Sequence, residues 1–415
     1  MSGFVEVIFR TKFLFCQGGF SVSRAVSGVS FFEHPFLGRG FRPFFALGAL
    51  YSLVSLSLWG GFYAGLPIAF SSVLDPVSWH AHEMIYGFTM AIVAGFLLTA
   101  VANWTGGAPA RQMHLAGLCA IWLAGRIVMN FDIGLPFPLL VAIEGAFIPA
   151  LAVSLAIPLL RSWNKRNFVF LILLSILFIC DMIFLATQSR TPLYMAVMVI
   201  MAMISLIGGR VIPAFTVAAL RRRGEDAFQH PQGRLDVLAL ISLAILALLI
   251  VVTGGQGVLT ALAAVFSLAV HALRFRRYHT SRILNDPMVW ILHAGYGWLM
   301  VGIGLIGIAA FDVAPFSVAL HALTAGTIGS MTLGMMARVA LGHTGRELKA
   351  GRLTVAAFVL MQLAVLIRVL GVLFWPGEQG ALIAGSASLW TACFGLYLAV
   401  YIPILWKPRP DGRPA

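Results

Sequence analysis

Two imidazoles and a carboxylate fall within four residues at Trp79-His80-Ala81-His82-Glu83-Met84. Neutral imidazole suits copper, iron and zinc, so this segment has the chemistry to hold a metal. On a continuous helix, residues two apart point about 200° away from each other and cannot share one ion. Where a helix begins, however, His80 could still lie outside the first turn with His82 inside it. One metal could then collect both, or each could serve a separate cofactor. Glu83 follows His80 by three residues, within reach of an imidazole N–H. A carboxylate so placed orients a metal-bound histidine more often than it binds the metal itself. His321 is the third candidate metal ligand. His293 and His343 are further imidazoles inside or at the end of apolar runs and complete the set of candidate cofactor-binding residues. Arg126, Arg210 and Arg338 also fall in or at the ends of such runs, where a cation would support these sites without binding metal.

Plainer roles compete with each assignment. A single histidine inside a membrane more often bonds a neighbouring helix than a metal. Glu144 and Asp181 could form buried ion pairs with Arg126 and Arg368. Met331, Met335 and Met336 could offer thioethers to copper, but membrane methionines are usually packing. His34, His114, His230, His271 and His279 are expected in loops or at cytoplasmic ends, in solvated or headgroup roles.

The elements that position these residues follow from composition. The chain has 415 residues, 60% apolar and only 10% charged, with a mean hydropathy of +0.94. A soluble surface needs about 25% charged residues, so most of this surface must face lipid. The formal charge is +13, from 28 basic and 15 acidic residues. In a soluble chain that balance would suggest nucleic acid. Here the basic residues form short clusters between apolar runs, with no interleaved aromatics, which excludes a nucleic-acid partner. Cys16, Cys119, Cys180 and Cys393 lie far apart, with no CxxC or CxxCH, which argues against a zinc ribbon and covalent c-type haem.

About twelve apolar runs reach the roughly 20 residues that span a bilayer. They lie near 43–66, 81–103, 113–130, 137–160, 167–187, 192–217, 235–252, 256–273, 287–309, 315–340, 354–374 and 381–405. Of the 28 basic residues, only Arg190 falls clearly in an odd-numbered loop. Positive residues collect on the cytoplasmic side, so both termini are expected there. The expected fold is all-α, a polytopic membrane bundle. Residues 1–40 form a cytoplasmic N-terminal arm, 41–406 the membrane domain and 407–415 a cytoplasmic tail. Within the arm, the run at Phe13 to Phe15 is too short for a signal peptide and no A-x-A site follows. A mobile arm, or a start codon placed too early, is the expectation for residues 1–33.

Buried ionisable groups in a bilayer cost several kcal/mol unless partnered, so their depth is informative. His80, His82, Glu83, Arg126, Glu144, Asp181, His321 and Arg368 fall in one layer toward the outer surface. His293, Arg210, Arg338 and His343 fall in a smaller inner layer. His321 and His343 are 22 positions apart, roughly 33 Å along a helix, so they cannot share a ligand. On the tenth span, His321, Thr324, Ala325, Ile328, Thr332, Met335, Val339 and His343 fall near one line. Gly326, Ser330 and Gly334 form a small-residue stripe nearly opposite, suited to close packing against another helix.

At these residues the sequence resembles the NnrS family. The resemblance rests on Gly40-Phe41-Arg42-Pro43-Phe44-Phe45, on the segment from Trp79 to Met84, on Gly95-Phe96-Leu97-Leu98-Thr99-Ala100 and on Asn103-Trp104-Thr105-Gly106. It continues through Leu123-Ala124-Gly125-Arg126, Gly209-Arg210-Val211-Ile212-Pro213-Ala214-Phe215-Thr216 and His293-Ala294-Gly295-Tyr296. The longest block runs from His321-Ala322-Leu323-Thr324 to His343-Thr344-Gly345-Arg346. The resemblance implies a polytopic inner-membrane protein of denitrifying or nitric-oxide-exposed bacteria, holding haem, of b type, and copper. It implies a role in nitric oxide metabolism or resistance to nitrosative stress, with nitric oxide a possible small gaseous ligand and the lipid bilayer its surroundings. Which histidine takes which metal stays open, as do turnover and oligomeric state.

Two other classes compete. A twelve-span transporter of a small solute or metal shares the layout, but the loop after the second span lacks the Asp-Arg-x-Gly-Arg-Arg element of facilitator carriers. An assembly factor without chemistry of its own is the other. A haem–copper oxidase subunit would need adjacent histidines, and no His-His occurs.

Overall fold

The computed structural model describes residues 31–71 and 73–413. The expectation for the N-terminal arm up to residue 30 lies outside them. Among the described residues the chain is all helical, without strands. Twelve helices are long and apolar enough to cross a membrane. They are α1 (Phe41–Tyr63), α2 (Pro76–Thr105), α3 (Gln112–Asn130), α4 (Phe137–Arg161), α5 (Lys165–Thr187) and α6 (Thr191–Arg222). The remainder are α7 (Gly233–Thr253), α8 (Val258–Phe275), α9 (Pro287–Ala309), α10 (Phe316–His343), α11 (Arg352–Phe374) and α12 (Pro376–Trp406). The chain is therefore a multi-pass membrane protein, as its apolar runs predict.

The main departure from those runs is the start of α2, five residues earlier than hydropathy places it. Asp75 caps the helix by accepting from the N–H groups of Val77 (3.0 Å) and Ser78 (3.1 Å). Pro76 at the first helical position lacks the N–H that would otherwise go unpaired. His80 is consequently well inside the helix, not at its edge.

Helix α1 runs along both α2 and α12, and α11 packs on α12. Helices α3, α4 and α5 follow one another on one flank, and α6 to α9 on the other, with α10 against α9. Arg42, fully buried, ties the first span to the end of the last by donating to the carbonyls of Leu405 (2.7 Å) and Lys407 (2.8 Å). The small-residue stripe of α10 does what its composition suggests. A Cβ on Gly326 would sit 2.7 Å from the Trp298 ring, and one on Gly334 2.8 Å from Ile291 and Leu292, so both glycines let α10 lie directly on α9. Ser330 turns instead to α11, accepting from the Gln362 amide at 2.9 Å.

Three helices carry a π-helical turn. In α2 it covers Glu83–Thr89, in α10 Ala322–Gly329, and in α11 Ile367–Gly371. Such turns concentrate at functional positions because the extra residue redirects the side chains beside it. Here they adjoin His80, follow His321 and contain Arg368.

Candidate functional site

Those three residues converge. A cavity of about 240 Å³ opens between α1, α2, α6, α10, α11 and α12, and His80, His321 and Arg368 all line it. Its other walls are mostly apolar, including Trp59, Phe88, Tyr194 and Trp390. The His80 and His321 rings are parallel within 7°, with centroids 6.4 Å apart. Trp59 stacks on His80 at 4.3 Å and fixes its plane. His321 Nδ1 donates to the Ser317 carbonyl at 2.7 Å, which leaves Nε2 as an unprotonated ligand atom. A backbone carbonyl on the far nitrogen is the usual way a metal-binding imidazole is oriented. His80 Nδ1 and Arg368 Nη1 are buried and have no hydrogen-bond partner. Burying such groups unpaired is costly, which marks this wall of the cavity as polar and unsatisfied. A smaller apolar recess of about 80 Å³ shares Thr89 and Ile328 with the cavity and continues along α10 past Met331, Thr332 and Met335. The line of residues read from the tenth span thus faces a continuous interior seam as far as Met335.

His82 goes elsewhere. Being helical along with His80, the two histidines diverge, and the idea that one metal collects both does not survive. His82 is completely buried, with Nδ1 2.8 Å from Glu83 Oε1 and Nε2 3.0 Å from Asp181 Oδ1 and 3.7 Å from Glu144 Oε1. Glu83 therefore orients His82, not His80. Arg126 binds Glu83 at 2.7 Å and also binds Glu144. Tyr51 donates to Glu83, and the Asn130 amide donates to Tyr51 at 2.9 Å. Five helices, α1 to α5, contribute to this one network. The expected ion pairing of Arg126 with Glu144 is present; Arg368 faces the cavity without a carboxylate.

The remaining candidates are separate from both clusters. His293 has each ring nitrogen 2.9 Å from a threonine hydroxyl, Thr216 on one side and Thr280 on the other. His343 contacts Arg39 through Nδ1 at 3.4 Å and packs on Phe41. Arg338 lies over the Phe215 ring at 3.9 Å and donates to the Met288 carbonyl. Arg210 reaches Asn167 at 3.4 Å. The two histidines and two arginines of the supposed inner layer have their own partners and do not assemble around one point.

A further cluster was hidden behind loop-like positions. His271, expected in a loop or at a cytoplasmic end, is buried, and so is Arg274, just beyond the apolar run 256–273. Arg274 binds Asp236 at 2.7 Å and donates to the carbonyl and hydroxyl of Ser205, each at 2.9 Å. His271 Nδ1 lies 2.8 Å from the Tyr296 hydroxyl. Burial and the neighbouring Tyr296 push the nearby Tyr278 phenol above its ordinary pKa. The available signal was the three-residue spacing of His271 and Arg274, which puts both on one helix face.

A family model described as NnrS protein matches residues 35–409. No curated protein matches the chain.

Proposed function

Because the chain belongs to the NnrS family, we propose that it is a haem- and copper-binding protein of the bacterial inner membrane, acting in nitric oxide metabolism or in resistance to nitrosative stress. The single observation that carries this reading is the His80–His321 pair, two parallel imidazoles facing each other across a largely apolar cavity beside an unpartnered arginine.

The donor set suits a redox metal. His80 and His321 would hold the metal through their imidazole nitrogens, with ring centroids 6.4 Å apart. Haem iron between them would find apolar walls for its faces, and Arg190 and Arg368 for its carboxylates. The volume lies below the roughly 300–1,000 Å³ of most organic-ligand sites. Seating a haem therefore requires side chains of the lining to rotate outward, whereas a copper ion with a diatomic ligand fits directly. When bound, either metal would supply a one-electron couple, and copper held by only two imidazoles would keep a position for nitric oxide. The chain's own residues do the rest. Ser317 holds His321 with Nε2 turned to the metal, Trp59 fixes the plane of His80, and the aromatic walls exclude water while admitting an apolar gas.

The test is a reduced-minus-oxidised visible spectrum of the purified protein, with iron and copper content, before and after adding nitric oxide. Bands of a b-type haem, copper in the same preparation and a nitric-oxide-dependent shift are expected. A folded protein that is metal-free and spectrally silent would overturn the proposal.

A further inference from the structure

The network around His82 has an electrostatic mismatch. Glu83, Glu144 and Asp181 present three carboxylates, all buried. Arg126 is the guanidinium bound to Glu83 and Glu144. A neutral imidazole would leave two formal negative charges in this water-poor interior, and an imidazolium donating to both Glu83 and Asp181 would leave one. Such a cluster persists only if the remaining charge is neutralised, by a proton or by a cation. Three potential ligand atoms lie close together in this network. His82 Nε2 faces Asp181 Oδ1 at 3.0 Å and Glu144 Oε1 at 3.7 Å, and these three ligand atoms all lie within 4.8 Å of one another. Metal–ligand bonds of about 2.0–2.2 Å around one ion produce ligand–ligand edges of about 3 to 4 Å.

We propose that His82, Glu144 and Asp181 form a site for one divalent first-row transition ion, separate from the His80–His321 cavity. The rest of the network is arranged as a metal site requires. Glu83 takes the Nδ1 side of His82 at 2.8 Å, which turns Nε2 toward the ion. Arg126 ties Glu83 to Glu144 and so fixes the spacing of the orienting carboxylate and a binding one. Glu144 Oε2 is buried against Gly125 without a hydrogen-bond partner, so the network does not use the full capacity of this carboxylate. The space for Glu144 and Arg126 is kept by two glycines. A Cβ on Gly125 would come 2.5 Å from Glu144 Oε2, and one on Gly87 would press on Tyr51 at 2.5 Å and on Arg126 at 3.1 Å. One imidazole with two carboxylates favours zinc, iron or manganese over the soft monovalent copper that thioethers and thiolates select. A divalent ion brings the formal charge of the group to zero, as protons on both His82 and Glu144 would.

This inference does not depend on the cavity reading, and the experiment separates them. The full-length protein, purified in detergent and stripped with a chelator, is titrated with Zn²⁺ alone and, in parallel, with Co²⁺ alone. His321→Ala is expected to bind one ion per chain, and the wild type to show a site of similar affinity. Asp181→Asn and His82→Ala should weaken that binding at least tenfold, and Glu83→Gln by about 10–100-fold. The nearly isosteric Asp181→Asn is checked for monodisperse elution. X-ray absorption on the Zn²⁺-loaded wild type gives a second readout that needs no variant and should show one nitrogen among oxygen donors, without sulfur. An Asp181→Asn protein that binds as tightly as wild type would overturn the site. So would a wild type that takes up no ion, or one whose zinc shell is all imidazole. A visible spectrum unaltered in His321→Ala would instead count against the cavity reading alone.

Discussion

Replacing glycine by alanine inside a helix ordinarily gains about 0.5–1 kcal/mol. At Gly209 the sign should reverse. A Cβ there would fall on the guanidinium of Arg274, with Nη1 2.9 Å away and Cζ and Nη2 nearer still. An arginine tip would normally swing aside at little cost. This one is buried and held on several sides, by Ser205 at 2.9 Å, Tyr296 at 3.2 Å and Asp236 at 2.7 Å. Breaking a buried ion pair costs about 3–5 kcal/mol, and the half-exposed Asp236 side places this case toward the lower end. After subtracting the helix-propensity gain, Gly209→Ala should destabilise by about 2–3 kcal/mol. Gly297→Ala is the control, because a Cβ there meets nothing within 4 Å. It should be neutral or up to about 1 kcal/mol more stable. Unfolding in mixed micelles of rising dodecyl sulfate content measures both. Adding Arg274→Met to Gly209→Ala should cost less than the two single changes summed, since the clash is then gone. If Gly209→Ala is as stable as Gly297→Ala, the steric argument for this glycine is wrong.

Arg126→Met leaves Glu83 and Glu144 without their shared cation. It should lower stability by about 3–5 kcal/mol in the same assay, and a loss below about 1 kcal/mol would show the network to be unimportant for folding. Asp75→Ala removes the α2 cap and should cost about 1 kcal/mol. Burial raises the Asp75 pKa, but hydrogen bonds from Ser78 and the charge of Arg190 outweigh it and leave the pKa below the ordinary 3.8. A depressed carboxylate stabilises above its unfolded pKa, so the difference between wild type and Asp75→Ala should be constant at neutral pH and vanish as pH falls below 3.8. A difference that instead grows with acidification would refute that sign. His343→Ala, whose ring meets Arg39 and Phe41 and not the cavity, should keep its full haem and copper content by elemental analysis; losing either would place a cofactor at that end of α10.

What the sequence made legible was whatever a single helix encodes. Apolar length located twelve spans, and the stripe at Gly326 and Gly334 marked the face that lies on α9. The Arg126–Glu144 pair was legible as a plain chemical match. The partition of His80 from His82 was not, because it depends on where α2 begins. Hydropathy begins at residue 81, whereas Asp75 and Pro76 start the helix earlier. The joining of Glu83, Glu144 and Asp181 depends on how three helices pack, which no local spacing reveals. His271 and Arg274 were misplaced for a related reason. A cation near the end of a span reads as a headgroup contact unless its partner, here Asp236 on the preceding helix, is known to face it.

The most direct test of the central claim is chemical rescue at His321. His321→Ala, purified and normalised to folded protein, should lose the cavity-bound metal and its visible signal. Added free imidazole, able to occupy the space the side chain vacates, should restore both, while His293→Ala shows no such dependence. A His321→Ala protein that keeps full haem and full copper without imidazole would contradict the account.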